Sequence, residues 1–401
     1  MSKQIIDKAE DNLLHTYNRF QLVLDHGDGV NLYDDEGKEY LDFYSGIGVY
    51  ALGHNVKEFN DAVKAQIDKI VHVSNLYYSK PLAEAAEKLV KASGLCKAFF
   101  TNSGAEAVEG ALKAALKYAY NKDGCNDHEI IAMNHSFHGR TCGALAVTGK
   151  AAYREAFEPL ISKVNFAEMN NLGSVTELVN DKTCAIILET VQGEGGIYPA
   201  DKEFLEGIYK ICQDKDILFI LDEIQCGMGR TGSYYAWQQY NVKPDIMTTA
   251  KALGNGIPVG AFVLNDKVAK ASLVAGDHGT TYGGNPLACA AVSKVFDLFE
   301  EKNIIAHVNE ISPYFEEKLD ELVEKHASVI SRRGKGLMQG LELAVKPGQV
   351  VNKGIDNGLL MLTAGENVLR LLPPLVIERC DIDKMCGILD KILCEEDQCL
   401  E

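Results

Sequence analysis

Residues 217–225 read ILFILDEIQ, an apolar run that stops on two adjacent carboxylates, Asp222 and Glu223. A run of this kind is a strand covered on both faces, the pattern of a parallel sheet held between layers of helix. Similar runs occupy 97–101, 130–133, 184–189, 245–248 and 259–264. Between the first two, residues 105–120 carry Val108, Ala111, Leu112, Ala115, Leu116 and Ala119 at helical spacing. The alternation predicts a doubly wound α/β domain. Ligands of such sheets sit outside the carboxyl ends of the strands, where ILFILDEIQ delivers Asp222. By itself a carboxylate there suits a metal, a proton transfer or a heterocyclic cation.

From about Leu287 the pattern changes. Helical periods over 287–300 and 309–326 lead into 336–345, which alternates like a strand. Strand-like stretches at 359–363 and 368–372 and a last helix over 381–393 follow. These predict a smaller α+β domain. The first 45 residues, with the turn DDEG at 34–37, are expected to join it. The expected division is an N-terminal segment 1–45, a large domain 46–288 and a small domain 289–401.

The 401 residues are 46% hydrophobic and 24% charged, which is ample for a large core. A formal net charge of −17 argues against nucleic acid or an anionic membrane as partner. An anionic substrate must then be met by a few cations concentrated at one place. No run approaches the ~18 apolar residues of a membrane span, and residues 1–15 lack a signal-peptide core. The 11 cysteines are odd in number and include no CxxC pair, the usage expected of reduced thiols in a cytoplasmic protein.

Lys251 narrows the chemistry. It follows PDIMTTA (244–250) and precedes ALGNGIPVG (252–260), whose small residues let a cofactor approach. A partly desolvated lysine forms a Schiff base readily. Pyridoxal phosphate requires such a lysine and an acidic partner for its ring nitrogen. Lys251 and Asp222 end two consecutive strands and so can face one crevice, although a solvated lysine and a capping aspartate have the same appearance in isolation. A phosphate site adds weight. NSGAEA (102–107) opens the helix after the first strand. Ser103 and Glu106 have capping-box spacing, and Gly104 lets backbone amides reach an anion at the positive helix end. Thr280 and Thr281, in TTYGGN (280–285), offer a second phosphate contact. His135 and His138 have no carboxylate or thiol at ligand spacing, so His138 reads as a structural hydrogen-bonder and no metal is expected. Cys226 reads as inert packing.

The segments NSGAEA (102–107), SFHGRT (136–141), VQGEGG (191–196), DEIQCGMGRTG (222–232), AKALGNGIPVGA (250–261) and HGTTYGGNPLACA (278–290) stand in the order found in class III aminotransferases. With GDGVNLYDDEGKEYLDF (27–43), GIGVYALGHN (46–55) and AGENVLRLLPPLVI (364–377), the whole chain resembles that family, most closely its branch acting on N-acetylornithine. The resemblance implies a PLP-dependent transferase of fold type I, with a large mostly parallel domain and a smaller α+β one. It also implies a homodimer with shared active sites. Lys251 is the implied Schiff-base lysine and, once released, the general base of the proton shift. Asp222 is the implied partner of the ring nitrogen, with Glu223 beside it and Gln225 at the ring oxygen. Ile224 and Phe137 cover the two ring faces. Ser103, Gly104 and Ala105 cradle the phosphate, helped by Thr281 of the partner subunit. Arg140 is implied to bind a substrate carboxylate bidentately, with Thr280 nearby. Arg370 takes the α-carboxylate of glutamate or 2-oxoglutarate, and Glu194 masks it during the other half-reaction.

N-succinyl-diaminopimelate shares the acyl-amide and distal amine of N-acetylornithine and is a further implied substrate. 4-Aminobutyrate and ornithine aminotransferases are sibling readings. A non-catalytic PLP-binding regulator normally carries a basic helix-turn-helix extension, and none precedes residue 45. Four positions depart from the family pattern. Ala105 stands where threonine is common, which removes one hydroxyl from the phosphate. Thr190 replaces a proline and Tyr50 an asparagine. Ile47 stands where ornithine-specific members have tyrosine, which favours the acetylated substrate.

Overall fold

Seven strands form the sheet that carries the site. In order across it lie Lys97–Thr101, Gly260–Leu264, Ile246–Thr249, Leu218–Asp222, Thr183–Glu189, Glu129–Met133 and Lys163–Ala167. The structure is a computed structural model and describes residues 2–160 and 163–400. The six strands expected from apolar runs all form, each within one residue of its expected bounds. Lys163–Ala167, which reads KVNFA, was not expected. It is an edge strand of mostly half-buried residues, so its apolar signal is interrupted.

The sheet is mostly parallel, as expected, with one strand reversed. Gly260–Leu264 runs antiparallel to both of its neighbours. It is buried along its whole length, and burial on two faces gives the same apolar run whatever the direction. The link 250–259 is also shorter than the dozen or more residues of a parallel crossover.

The helix Gly104–Asp123 lies on this sheet through Ala107, Val108, Ala111 and Ala115. Gly110 permits the close approach, since a Cβ there would fall 2.1 Å from the Phe262 ring. In the strand Leu218–Asp222, Leu218 to Leu221 are fully buried. Truncating one such leucine or isoleucine to alanine costs about 2–5 kcal/mol.

The C-terminal part holds a four-stranded sheet, ordered Val329–Lys335, Met338–Leu343, Val368–Leu371 and Leu362–Ala364. Helices Ile304–Lys325 and Pro347–Asp356 pack on it, and Arg379–Gln398 packs on both helices. The single strand expected over 336–345 is the second arm of a hairpin that turns at Gly336, where φ is +61°. N-terminal strands Leu24–Asp28, Asn31–Asp34 and Glu39–Asp42 form another sheet, completed by Leu359–Leu360. Residues near the two ends of the chain are thus hydrogen-bonded together. One hydrophobic cluster, including Phe43, Leu188, Phe219, Phe315, Leu371 and Leu389, runs through all of these parts.

Candidate active site

Strand register sets the floor of the cleft. Asp222 lies opposite Glu189 on one neighbouring strand and Thr248 on the other. All three are buried. One Asp222 oxygen contacts His138 Nδ1 at 2.6 Å; the other accepts from Thr248 Oγ1 and the Ile224 amide, both at 3.0 Å. Burial opposes a charge on His138, but the hydrogen bond and charge of Asp222 outweigh it and raise the imidazole above its ordinary pKa. Glu189 accepts from the amides of Phe137 and Gly193, each at 3.0 Å. Desolvation pushes its carboxyl up to about 7, against the pull of His138 and those amides.

Lys251 follows the strand Ile246–Thr249 with φ at +47°, a left-handed conformation unusual for lysine. Such strain persists where the surrounding structure enforces it, and it concentrates at functional sites. Lys251 lines a cavity of about 460 Å³ together with Ser103, Gly104, Ala105, Phe137, Arg140, Asp222, Ile224 and Gln225. Desolvation there lowers its amine to about 8; Glu194 works to raise it and Arg370 to lower it further.

The helix Gly104–Asp123 opens on the same cavity. Its cap is half the expected box. Ser103 Oγ accepts from the Glu106 amide at 3.2 Å, but the Glu106 carboxylate turns to the amide and side chain of Asn102. The first amides of the helix have no intrahelical acceptor and bear its positive pole, which suits a phosphate. A Cβ at Gly104 would fall 2.9 Å from Ile224, so glycine brings the phosphate end and the cleft wall together.

On the rim, outside the cavity lining but joined to it through Gln225, Arg370 is buried and holds Glu194 with two contacts, at 2.5 and 3.3 Å. Gln225 bridges them, accepting from Arg370 at 3.1 Å and donating to Glu194 at 3.3 Å. Burial opposes the charge of Glu194, but Arg370 holds its carboxyl below the ordinary value. Arg140 is different. Its guanidinium lies 3.6 Å from the Tyr153 ring centre and 5.6 Å from that of Phe137. Among the described residues, Arg19, Arg332, Arg333 and Arg370 pair with carboxylates, and Arg140 does not.

Glu223, Thr280 and Thr281, the last expected to serve a partner subunit's site, do not line the cavity, as Glu194 and Arg370 do not. Glu223 is turned away from the cleft: its carboxylate accepts from Thr190 Oγ1 at 2.6 Å and from the amides of Ala236 and Trp237. Successive strand residues face opposite sides, so Asp222 and Glu223 cannot share one cleft face. Thr190 thus has a partner that the usual proline lacks. Thr280 is bound to Asn102 at 3.1 Å just outside the cavity, and Thr281 is exposed. Cys226 is buried against Glu223, and burial raises its thiol well above the ordinary value, as an inert residue requires. Glu189 was missed as a site residue. Its signal was present, since CAIILE ends on a carboxylate just as ILFILD does.

An amine of lowered pKa, a buried carboxylate across the cleft and free helix amides at one end are the three demands of pyridoxal phosphate, and the residues fit it. Fold and cleft define a PLP-dependent transferase of fold type I. The chain belongs to the class-III aminotransferases, whose family profile, "Aminotransferase class-III", matches residues 14–393. It is 46% identical over 390 residues to the acetylornithine aminotransferase of Methanocaldococcus jannaschii, covering 97% of this chain and 98% of that protein. A solved N-acetylornithine aminotransferase from Stenotrophomonas maltophilia is 34% identical, with a TM-score of 0.84 and coverage of 97% and 98%. The ornithine aminotransferase of Toxoplasma gondii, solved with partial occupancy of PLP at its active site, is 28% identical with a TM-score of 0.95, covering 99% and 96%. Backbone similarity is high to both kinds of enzyme, and the higher identities are to acetylornithine aminotransferases.

Proposed function

We propose that the chain is an N-acetylornithine:2-oxoglutarate aminotransferase of arginine biosynthesis, which moves the distal amine of its donor. The observation that carries this reading is the unlike state of its two cleft arginines. Arg140 stacks on aromatic rings with no carboxylate partner, which suits the α-carboxylate of an acylated amino acid. Arg370 is covered by Glu194, so a donor without a second carboxylate meets a neutralised pair. A five-carbon dicarboxylate must displace Glu194 to reach Arg370.

Pyridoxal phosphate, when bound, stores the amino group and delocalises the electrons left when the substrate carbon loses a proton. Lys251 is the residue that holds the cofactor and moves that proton. Much of its free amine is neutral near pH 8, as a base requires. Asp222 would partner the ring nitrogen, and His138 and Thr248 fix the carboxylate's position. Phe137 and Ile224 would hold the ring, Gln225 its oxygen, and Ser103, Gly104 and Ala105 the phosphate. Glu223 serves as a support for residues 236–237.

The protein acts as a cytoplasmic homodimer in this reading. Leu76, Tyr77 and Tyr78 are 87%, 72% and 105% exposed, next to Asn75, which donates to the Thr280 and Gly283 carbonyls; a second copy would cover this apolar surface. Thr281, exposed on this same surface region, is then available to the other copy's phosphate site, and Thr280 to its substrate. The N-terminal segment 1–45 works with the small domain 289–401 against the large domain 46–288.

The test offers the purified enzyme one amine at a time without a keto acid, following the absorbance of the bound cofactor. The cofactor is converted fastest by N-acetylornithine and restored by 2-oxoglutarate. Faster conversion by ornithine or 4-aminobutyrate would transfer the assignment to a sibling activity.

A further inference from the structure

Arg230 belongs to the CGMGRTG segment but does not line the cleft. Its side chain is among the largest fully buried ones, 1% exposed. Nη1 donates to the carbonyls of Leu337 at 3.0 Å and Pro373 at 2.8 Å. The Arg230 carbonyl in turn accepts from the Leu337 amide at 2.9 Å. Leu337 precedes the strand Met338–Leu343, and Pro373 closely follows the strand Val368–Leu371. Those two strands pair Gly340 with Arg370. A single guanidinium therefore grips the ends of both strands that present Arg370.

A third segment closes on the same side chain. A Cβ at Gly48 would lie 3.6 Å from Arg230 Nε and 3.9 Å from Gln225, and the Leu372 amide donates to the Phe43 carbonyl at 2.8 Å. Desolvation brings the guanidinium down to about 10, partly offset by the charge of Asp42, so it stays cationic at neutral pH. Burying a cation on carbonyl acceptors is costly, and an apolar side chain of like volume would fill the core without that cost. The guanidinium instead adds two hydrogen bonds from one nitrogen, Nη1, that fix two segments at one point.

We propose that Arg230 is a positioning residue that sets Arg370 over the cleft, and so selects for the dicarboxylate substrate and not for the ω-amine donor. The proposal rests on Arg370 being the dicarboxylate site. It is tested on the holoenzyme with Arg230→Lys and Arg230→Met, with Arg230→Gln in reserve should the methionine variant fail to fold. The two half-reactions are measured separately, and glutarate binding is measured by titration calorimetry. In each variant KM for 2-oxoglutarate and the glutarate Kd are expected to rise about tenfold, the loss of a hydrogen bond to a charged group. KM for N-acetylornithine stays within about twofold, on the scale of a residue that does not touch that donor. Equal losses in both half-reactions, or an unchanged glutarate Kd, would overturn the proposal. Arg370→Lys is the control. If it leaves KM for 2-oxoglutarate unchanged, the site reading itself has failed; if it raises KM where the Arg230 variants do not, only the present inference has failed.

Discussion

The floor and the rim of the cleft are built on opposite plans. On the floor, Asp222, Glu189 and Thr248 are buried, lie level across three strands, and are bound at 2.6–3.0 Å. On the rim, the Glu194 side chain is 34% exposed beside Arg370, and Arg140 has aromatic neighbours but, among the described residues, no carboxylate. Chemistry common to both half-reactions demands groups that never move. Exchange of two differently charged substrates demands ion pairs that open. Floor variants should therefore damage both half-reactions alike, and rim variants should damage one.

The largest expected effect is at Lys251. Lys251→Ala should lower both half-reactions by about 10⁴-fold, the upper range for a lost acid–base group, as read in single turnovers. Asp222→Asn should lower both by about 10²–10³-fold, the scale of a lost preorganised electrostatic group. A selective loss in one half-reaction would break the floor–rim distinction. Arg140→Ala should raise KM for N-acetylornithine about 10–100-fold, the loss of charge-assisted hydrogen bonds, with a smaller change in kcat.

A pH measurement on the apo-protein sharpens the same contrast. The neutral Lys251 amine is the reactive form, and its pKa lies near 8 in place of 10.5. Cofactor uptake should thus accelerate about fivefold from pH 7 to pH 8, as the neutral fraction does, and then level off. Continued tenfold increments per pH unit up to pH 10 would show that the cleft does not lower the amine. The smallest effect on activity is expected from Thr190→Val. Removing the 2.6 Å donor to Glu223 should cost about 1–3 kcal/mol of stability, the penalty for a buried acceptor left short. It should leave both half-reactions within about twofold, because Glu223 faces away from the cleft.

The centre of the floor, Asp222, is legible in the sequence, because an apolar strand that stops on a charge is a strong local signal. Asp222 and the Lys251 turn were found this way. The same signal at Glu189 does not identify a site residue, because nothing local tells a cleft carboxylate from a capping one. Glu223 was misplaced for a related reason. Adjacent strand residues face opposite sides, and the sequence does not say which side holds the cleft. Strand direction was hidden as well, since burial gives Gly260–Leu264 its apolar run regardless of orientation. The Glu194–Arg370–Gln225 cluster joins residues up to 176 positions apart, so only family resemblance pointed to it.

The central claim is that a fixed floor serves two substrates through an exchangeable rim. It is tested most directly by Glu194→Ala with the two half-reactions measured separately. The account predicts that kcat/KM for N-acetylornithine falls about tenfold, the scale of exposing an unpaired cation to the donor, while that for glutamate is held or raised. An equal fall in both half-reactions would contradict it, because Glu194 would then act as part of the floor.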